Sequence, residues 1–360
     1  MIPTEKLEEL QKFYQDNRQI GLVLGAGVSK DSGVPLYQNL ALDLFRETRT
    51  FLRRNAAPET AMGYLENQLK LPADKISVEP DKVIQFIRNY IGSEHRFKLS
   101  MKNAVFLDVP KDAKGNVELT YKRVSHKTYK DNDTLNSVIT FCSAVPNRES
   151  NLDGSNSRWD INPKVAAILT TNYDNLVEGS FGSKYGKSLL KPFARPRSNK
   201  SDKKKNVITV YHMHGYISYT KDKRFKNGLK ASDLVASEND YYAAFYNHLT
   251  FNNIVATTFL RQHSSLFIGC SMDDINLRRV LFQLKEENDY STIKKDHYAL
   301  IPESSKGKDQ FNDELLYALG VRVIRISKKN IGKEIEIILK KMYISEDGFD
   351  ENDWHDIKKS

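Results

Sequence analysis

The chain has 360 residues, of which 39% are hydrophobic and 10% aromatic, enough to bury a core in one elaborated domain or two smaller ones, and this excludes wholesale disorder and coiled-coil or collagen-like classes. Subtracting 46 acidic from 55 basic residues leaves +9, a surplus that favours an anionic partner, small molecule or nucleic acid, without deciding the fold. Only two cysteines, Cys142 and Cys270, are present, so one chain can build neither a disulfide framework nor a four-cysteine zinc site, and a reducing cytoplasm is the expected location. The first 19 residues are charged throughout and lack an apolar signal core, and no stretch approaches the roughly 18 apolar residues of a membrane span.

In chain order, Leu7, Leu10 and Phe13 or Tyr14 stand at helical spacing and predict an amphipathic helix over Thr4 to Asp16. The short apolar run Ile20 to Leu24 ends in Gly25-Ala26-Gly27, and Leu36, Leu40, Ala41, Leu44 and Phe45 then recur with helical period: a strand, a glycine turn and a helix. Between about Arg46 and Asn162 the pattern weakens. There Val83 to Ile91 reads as a helix and Ala104 to Tyr121 as room for a small hairpin, so the stretch is expected to be a largely helical insertion. A second strand-to-helix unit runs from Val165 to Leu169 through Thr170-Thr171-Asn172-Tyr173-Asp174, and a third from Ser265 to Ile268 through Gly269-Cys270-Ser271. Further strands are expected at Val207 to Tyr211, His297 to Ile301 and Val321 to Ile326, with a surface turn at Gly182 to Ser188, a basic loop at Ser198 to Asn206 and a last helix at Ile331 to Met342.

Apolar strands without alternation, each followed by a helix, predict an α/β fold with a Rossmann-like, mostly parallel sheet covered by helices on both faces. The expected organisation is one catalytic domain over residues 1–345, with its core at about 18–45 and 163–345, the insertion at 46–162 and an acidic extension at 346–360.

Small residues directly after a buried strand, as in Gly25-Ala-Gly-Val-Ser-Lys-Asp-Ser-Gly33-Val-Pro35, let a backbone approach a phosphate closely. The ordinary dinucleotide fingerprint is excluded, because its third glycine would fall on Lys30. Gly182 to Ser188 is no Walker loop, since three residues separate its glycines where that motif needs four. A tight turn without ligand explains the first loop equally well. Asn172 and Asp174 follow a strand where parallel sheets place their ligands, and either could bind a ribose or cap a helix. His214, in His212-Met213-His214-Gly215, can exchange a proton with a sugar hydroxyl near neutral pH. His212 would face the other way if the strand persists, so the two are not read as a metal pair.

Taken together, Gly25 to Ser29 with Ser32 to Pro35, Asn172-Tyr173-Asp174, His214-Gly215 and Gly269-Cys270-Ser271 resemble the sirtuin, or silent-information-regulator, family in motif order. The resemblance implies NAD as substrate and catalytic roles for Asn172 and His214; no metal is expected, because two cysteines cannot supply the family's zinc module and the NAD chemistry needs no Lewis acid. By motif the NAD-holding residues would be Gly25, Ala26, Gly27, Ser29, Ser32, Gly33, Pro35, Tyr37, Asp174, Gly269, Ser271 and Asp273. Protein-deacylating sirtuins carry a four-cysteine zinc module that this chain cannot build. The charged residues that follow the proline in deacylases are also replaced, by Leu36 and Gln38 around the aromatic Tyr37. Thr-Thr-Asn-Tyr-Asp and Gly-Cys-Ser-Met-Asp-Asp-Ile-Asn-Leu look instead like the zinc-free sirtuin-like domains of bacterial antiphage defence, with Asp273 and Asn276 fitting that pattern or serving as helix caps.

The expectation is an NAD+ glycohydrolase that releases nicotinamide and ADP-ribose, depletes NAD in abortive infection, and is gated by assembly. Its expected partners are further copies of itself and a regulatory protein such as a HerA-type ATPase or a short Argonaute; nucleic-acid contact would be indirect and membranes are not expected. Candidate contact elements are the helix over Thr4 to Asp16 and the segment Glu346 to Trp354, which could equally just cover the sheet. Deacylation or ADP-ribosyl transfer, and an NAD or ADP-ribose sensor in a nucleic-acid-associated complex, remain alternatives.

Overall fold

The computed structural model describes residues 2–71, 77–106, 132–144, 160–185, 190–193, 207–217, 234–246, 250–289, 296–345, 351, 352 and 354. Helix α1 (Thr4–Asp16) leads into strand β1 (Ile20–Leu24), two short 3₁₀ turns and helix α2 (Tyr37–Arg54). Helices α3 (Glu59–Gln68), α4 (Pro80–Tyr90), α5 (Glu94–Val105) and α6 (Asp133–Phe141) follow, then a two-strand ribbon of β2 (Ser143–Ala144) and β3 (Asp160–Ile161). The remaining elements are β4 (Val165–Thr170), α7 (Leu176–Tyr185), β5 (Leu190–Phe193), β6 (Ile208–His212), α8 (Glu238–Phe245), α9 (Phe251–Gln262), β7 (Ser265–Ile268), α10 (Ile275–Asp289), β8 (His297–Pro302), α11 (Lys306–Tyr317), β9 (Val321–Ile326) and α12 (Ile331–Tyr343).

Seven strands form one sheet in the order β5-β6-β4-β1-β7-β8-β9, with every neighbouring pair parallel. The fold is α/β and Rossmann-like. Its unbroken apolar strands are explained by burial on both faces: Leu22 and Leu24 enter one core while Val23 enters the other, and Leu266 and Ile268 are split from Phe267 in the same way. The first core lies under α1, α2, α6 and α12; the second lies under α9, α10 and α11. From β1 the chain moves to β4 on one side and later returns to β7 on the other. The carboxyl ends of β4, β1 and β7 therefore border a topological switch point, where open sheets of this kind bind ligands.

The strands expected around 165, 207, 265, 297 and 321 are present within a residue or so. Strand β5 carries no alternation or unbroken apolar run, since Lys191 and Pro192 interrupt Leu-Lys-Pro-Phe. The structure puts it at the end of the sheet's strand order, where proline is tolerated. One local reading is corrected: Gly182 to Tyr185 form the last turn of helix α7 instead of a surface turn. Ala104 and Val105 close helix α5, while the hairpin expected around residues 114–116 lies outside the described residues. The remainder of both segments, and the basic loop at 198–206, lie outside the described residues.

Helix α1, and Trp354 beyond α12, pack onto the body. Leu10, Phe13 and Tyr14 are buried, and Lys164 Nζ donates to the carbonyls of Tyr14, Gln15 and Asn17 at 3.2, 3.3 and 2.8 Å, closing the helix end. Trp354 is 1% exposed and meets Tyr343 edge-on at 5.6 Å. No helix among the described residues is long and apolar enough to cross a membrane.

Candidate active site

Because all seven strands run the same way, the turns that follow β1, β4, β6 and β7 meet at one sheet edge. The β1 and β7 turns touch through backbone. Gly25 N–H donates to Ile268 O and Gly27 N–H to Gly269 O, both at 3.0 Å. A Cβ on Gly25 would stand 2.5 Å from Gly269 O, one on Gly27 2.8 Å from Gly269 Cα, and one on Gly269, which has φ +68, 2.6 Å from the Val28 nitrogen. The amides of Val28, Ser29, Ser32 and Gly33 also donate to carbonyls within the loop. These glycines let two loops close on each other, and their conspicuous spacing has that steric cause before any phosphate is considered.

What the first loop sends toward the β4 turn is polar. Ser29 Oγ, fully buried, donates to Asp174 Oδ1 at 3.0 Å. Asn172 Nδ2 donates to Gly25 O at 3.1 Å and approaches Ser29 Oγ at 3.4 Å. Asp174 Oδ1 also accepts the Leu176 N–H at 3.0 Å, so Asp174 caps helix α7 as well as belonging to this cluster. Burial pushes its carboxyl up, against the lowering effect of the Leu176 and Ser29 hydrogen bonds.

The two histidines after β6 have opposite surroundings. His212 Nδ1 is 3.0 Å from Asn172 O and Nε2 is 2.7 Å from Glu178 Oε1, with the ring 1% exposed. Burial acts against its charge, but Glu178 and the Asn172 carbonyl outweigh burial and hold its pKa above the ordinary value. His214 sits among the rings of Tyr241, Tyr173 and Phe245 at 5.3, 6.1 and 6.2 Å. Burial depresses its pKa, opposed by Asp274 and a hydrogen bond to the Thr171 backbone, so the ring is neutral at neutral pH. Its Nε2 lies 3.5 Å from Asp274 Oδ2, too far for a good hydrogen bond.

Among the described residues, three buried atoms at this edge have no hydrogen-bond partner: Asn172 Oδ1, Asp174 Oδ2 and His214 Nε2. Buried polar atoms are normally satisfied, and leaving one unpaired costs about 1–3 kcal/mol. Two oxygen acceptors and an imidazole nitrogen without donors fit a ligand rich in hydroxyl groups.

The other residues anticipated from sequence are distributed around this cluster. Ser32 Oγ accepts from Asn132 Nδ2 at 2.7 Å, and the same amide reaches Val28 O at 2.9 Å, so a residue from the insertion stretch fixes the glycine loop. Tyr37 donates to Ala236 O at 2.7 Å and faces Tyr241 edge-on. Ala26, Gly33 and Pro35 are half-buried, while Ser271 and Asp273 are exposed. Helix α10 is capped by Asp274, not by Asp273 or Asn276: its Oδ1 accepts the Asn276 and Leu277 amides at 2.8 and 3.1 Å. Asp274 could have been found from its place just ahead of the apolar run Ile275-Asn-Leu277. Asn132 carries no comparable local signal. Among the described residues, no three His, Cys, Asp or Glu side chains group as a metal site.

No curated protein matches the chain. Residues 166–324 match the family model of the SIR2-like domain, from within β4 into β9, taking in Asn172, His214 and the β7 turn but not the glycine loop after β1. SIR2-like domains use NAD, so this part of the chain is sirtuin-like and consistent with an NAD-utilising enzyme.

Proposed function

We propose that the protein is an NAD+ glycohydrolase, water displacing nicotinamide from the ribose to give nicotinamide, ADP-ribose and a proton. The observation that carries this reading is the trio of unpartnered buried atoms, Asn172 Oδ1, Asp174 Oδ2 and His214 Nε2, at the switch point of a parallel sheet and within the SIR2-like match. The nicotinamide ribose is placed between Asn172 and His214, with the ADP end running toward the loop at 25–35.

Nicotinamide already leaves from a cationic state and takes the glycosidic electron pair with it, so the bond needs little acid assistance. It needs surroundings that tolerate a sugar cation and a positioned water. Asn172 Oδ1 and Asp174 Oδ2 accept hydrogen bonds from the sugar hydroxyls or the water. His214, kept neutral by burial, accepts a hydroxyl proton at Nε2 as water adds to C1′. Tyr173, Tyr241 and Phe245 exclude bulk water from that imidazole.

The biological setting is proposed from the likeness to defence-type sirtuin domains: NAD depletion during phage infection, held in check until this chain assembles with copies of itself or with a partner such as a HerA-type ATPase or a short Argonaute. Turnover measured against protein concentration, with and without a co-purifying partner, tests the gating. For the chemistry, the purified protein, alone and in any such assembly, is incubated with NAD and both products are quantified. Equal amounts of nicotinamide and ADP-ribose are expected. NAD bound but returned intact in every state would favour a sensor and overturn the reading.

A further inference from the structure

The β7 turn brings a carboxylate to His214 that the proposed chemistry has not used. Asp274 is fixed by its other oxygen: Oδ1 accepts two backbone amides, Asn276 at 2.8 Å and Leu277 at 3.1 Å, as the cap of α10. Two such bonds set the plane of the carboxyl group. The second oxygen, Oδ2, then stands 3.5 Å from His214 Nε2. Just ahead of it, buried Met272 holds φ +62, a left-handed conformation that costs a non-glycine residue about 1 kcal/mol or more and that steers the turn into the helix cap.

Resting on the NAD+ glycohydrolase reading, we propose that Asp274 is the positioning residue of a His214–Asp274 pair: it stabilises the imidazolium formed when Nε2 takes the hydroxyl proton. The gap matches that task. At 3.5 Å the neutral ring and the carboxylate form no strong bond, so Nε2 stays available as an acceptor. When the proton arrives, the contact becomes an attraction between opposite charges in a buried setting, where it is strongest. As the water oxygen bonds to C1′ and the glycosidic electron pair leaves with nicotinamide, the proton that the water loses, directly or through a ribose hydroxyl, passes to Nε2 and stays there, beside Asp274, until it is released to solvent with the products. Besides Asp274, the groups facing the ring among the described residues are Tyr173 from the β4 turn and Tyr241 and Phe245 from α8. Both phenols are pushed well above their ordinary pKa by burial and stay neutral, so among these neighbours the countercharge comes from Asp274.

Asparagine caps a helix about as well as aspartate, so Asp274→Asn removes the charge and keeps the structural role. The variant is expected to keep its melting temperature, to lose about ten- to a hundredfold in nicotinamide release, part of the roughly 10² to 10⁴ that a positioned base supplies, and to shift the acid limb of the pH–rate profile to lower pH. Asp274→Ala should lose the cap and the charge together. Independently of turnover, the His214 titration is followed by NMR in the histidine-labelled full chain, and its midpoint should fall in Asp274→Asn. An unchanged His214 midpoint would overturn the pair even if the protein cleaves NAD. A lowered midpoint in a protein that never releases nicotinamide would keep the pair and sink only the hydrolase reading.

Discussion

The site has two halves that solve the problem of a buried turn in opposite ways. On the side of β1 and β7, backbone meets backbone. Gly25 and Gly27 close on Gly269, and amide after amide donates to a nearby carbonyl. On the side of β4 and β6, side chains replace backbone as the packing material, and three of their polar atoms are left without partners. A region whose loops close on each other through backbone hydrogen bonds and glycine contacts has its shape accounted for by folding. A region that keeps unpaired acceptors under cover has a cost that a ligand can offset, and the contrast moves the chemistry away from the conspicuous glycines and onto Asn172, Asp174 and His214.

The sharpest way to break this contrast is to delete the unpartnered groups. Asn172→Ala and His214→Ala should each lower nicotinamide release by about 10² to 10⁴; His214→Ala also removes a buried ring and its hydrogen bond to the Thr171 backbone, so its loss of stability is read separately from its loss of rate. Either variant cleaving NAD at the normal rate, while shown folded by circular dichroism, would remove that residue from the mechanism.

The neighbouring histidine should behave in the reverse sense. His212 and Glu178 form a buried pair, and removing one partner from such a pair costs about 3–5 kcal/mol because the other is stranded. His212→Ala should therefore show its main loss in denaturant unfolding. The pH dependence follows from the raised pKa of His212. Its stabilisation is fully present below the unfolded value near 6.5 and is lost as pH rises through the folded value. Glu178→Gln should flatten that part of the stability curve, which urea unfolding at several pH values would record.

The smallest expected effect concerns the satisfied half. Gly269→Ala must adopt φ +68 and press a methyl group against the Val28 nitrogen, for a loss of about 1–3 kcal/mol. If its melting temperature matched the parent, the loop-on-loop account of the glycines would be wrong.

How much of this could be read from sequence depends on the range of the interaction. Val165 to Thr170, Ser265 to Ile268 and Val321 to Ile326 announce themselves as apolar runs, because burial of both sheet faces demands it. Asn172 and His214 were visible as polar residues just beyond such runs. The reason for the glycines was not, since Gly25 and Gly269 meet across more than half of the chain and no local pattern encodes that approach. Asn132, which ties the insertion stretch to Val28 and Ser32, was hidden for the same reason. Asp274 was passed over for Asp273 because adjacent acids before a helix look alike until the cap geometry separates them.

The central claim is that a sugar-bearing ligand satisfies the unpartnered atoms beside His214 and leaves the already satisfied His212 alone. Adding ADP-ribose to the histidine-labelled full chain and following both imidazoles by NMR tests this most directly. The account predicts that the His214 Nε2 resonance moves in a saturable way while His212 stays in place. Saturable binding that leaves His214 unmoved, or that moves His212 in its stead, would contradict it.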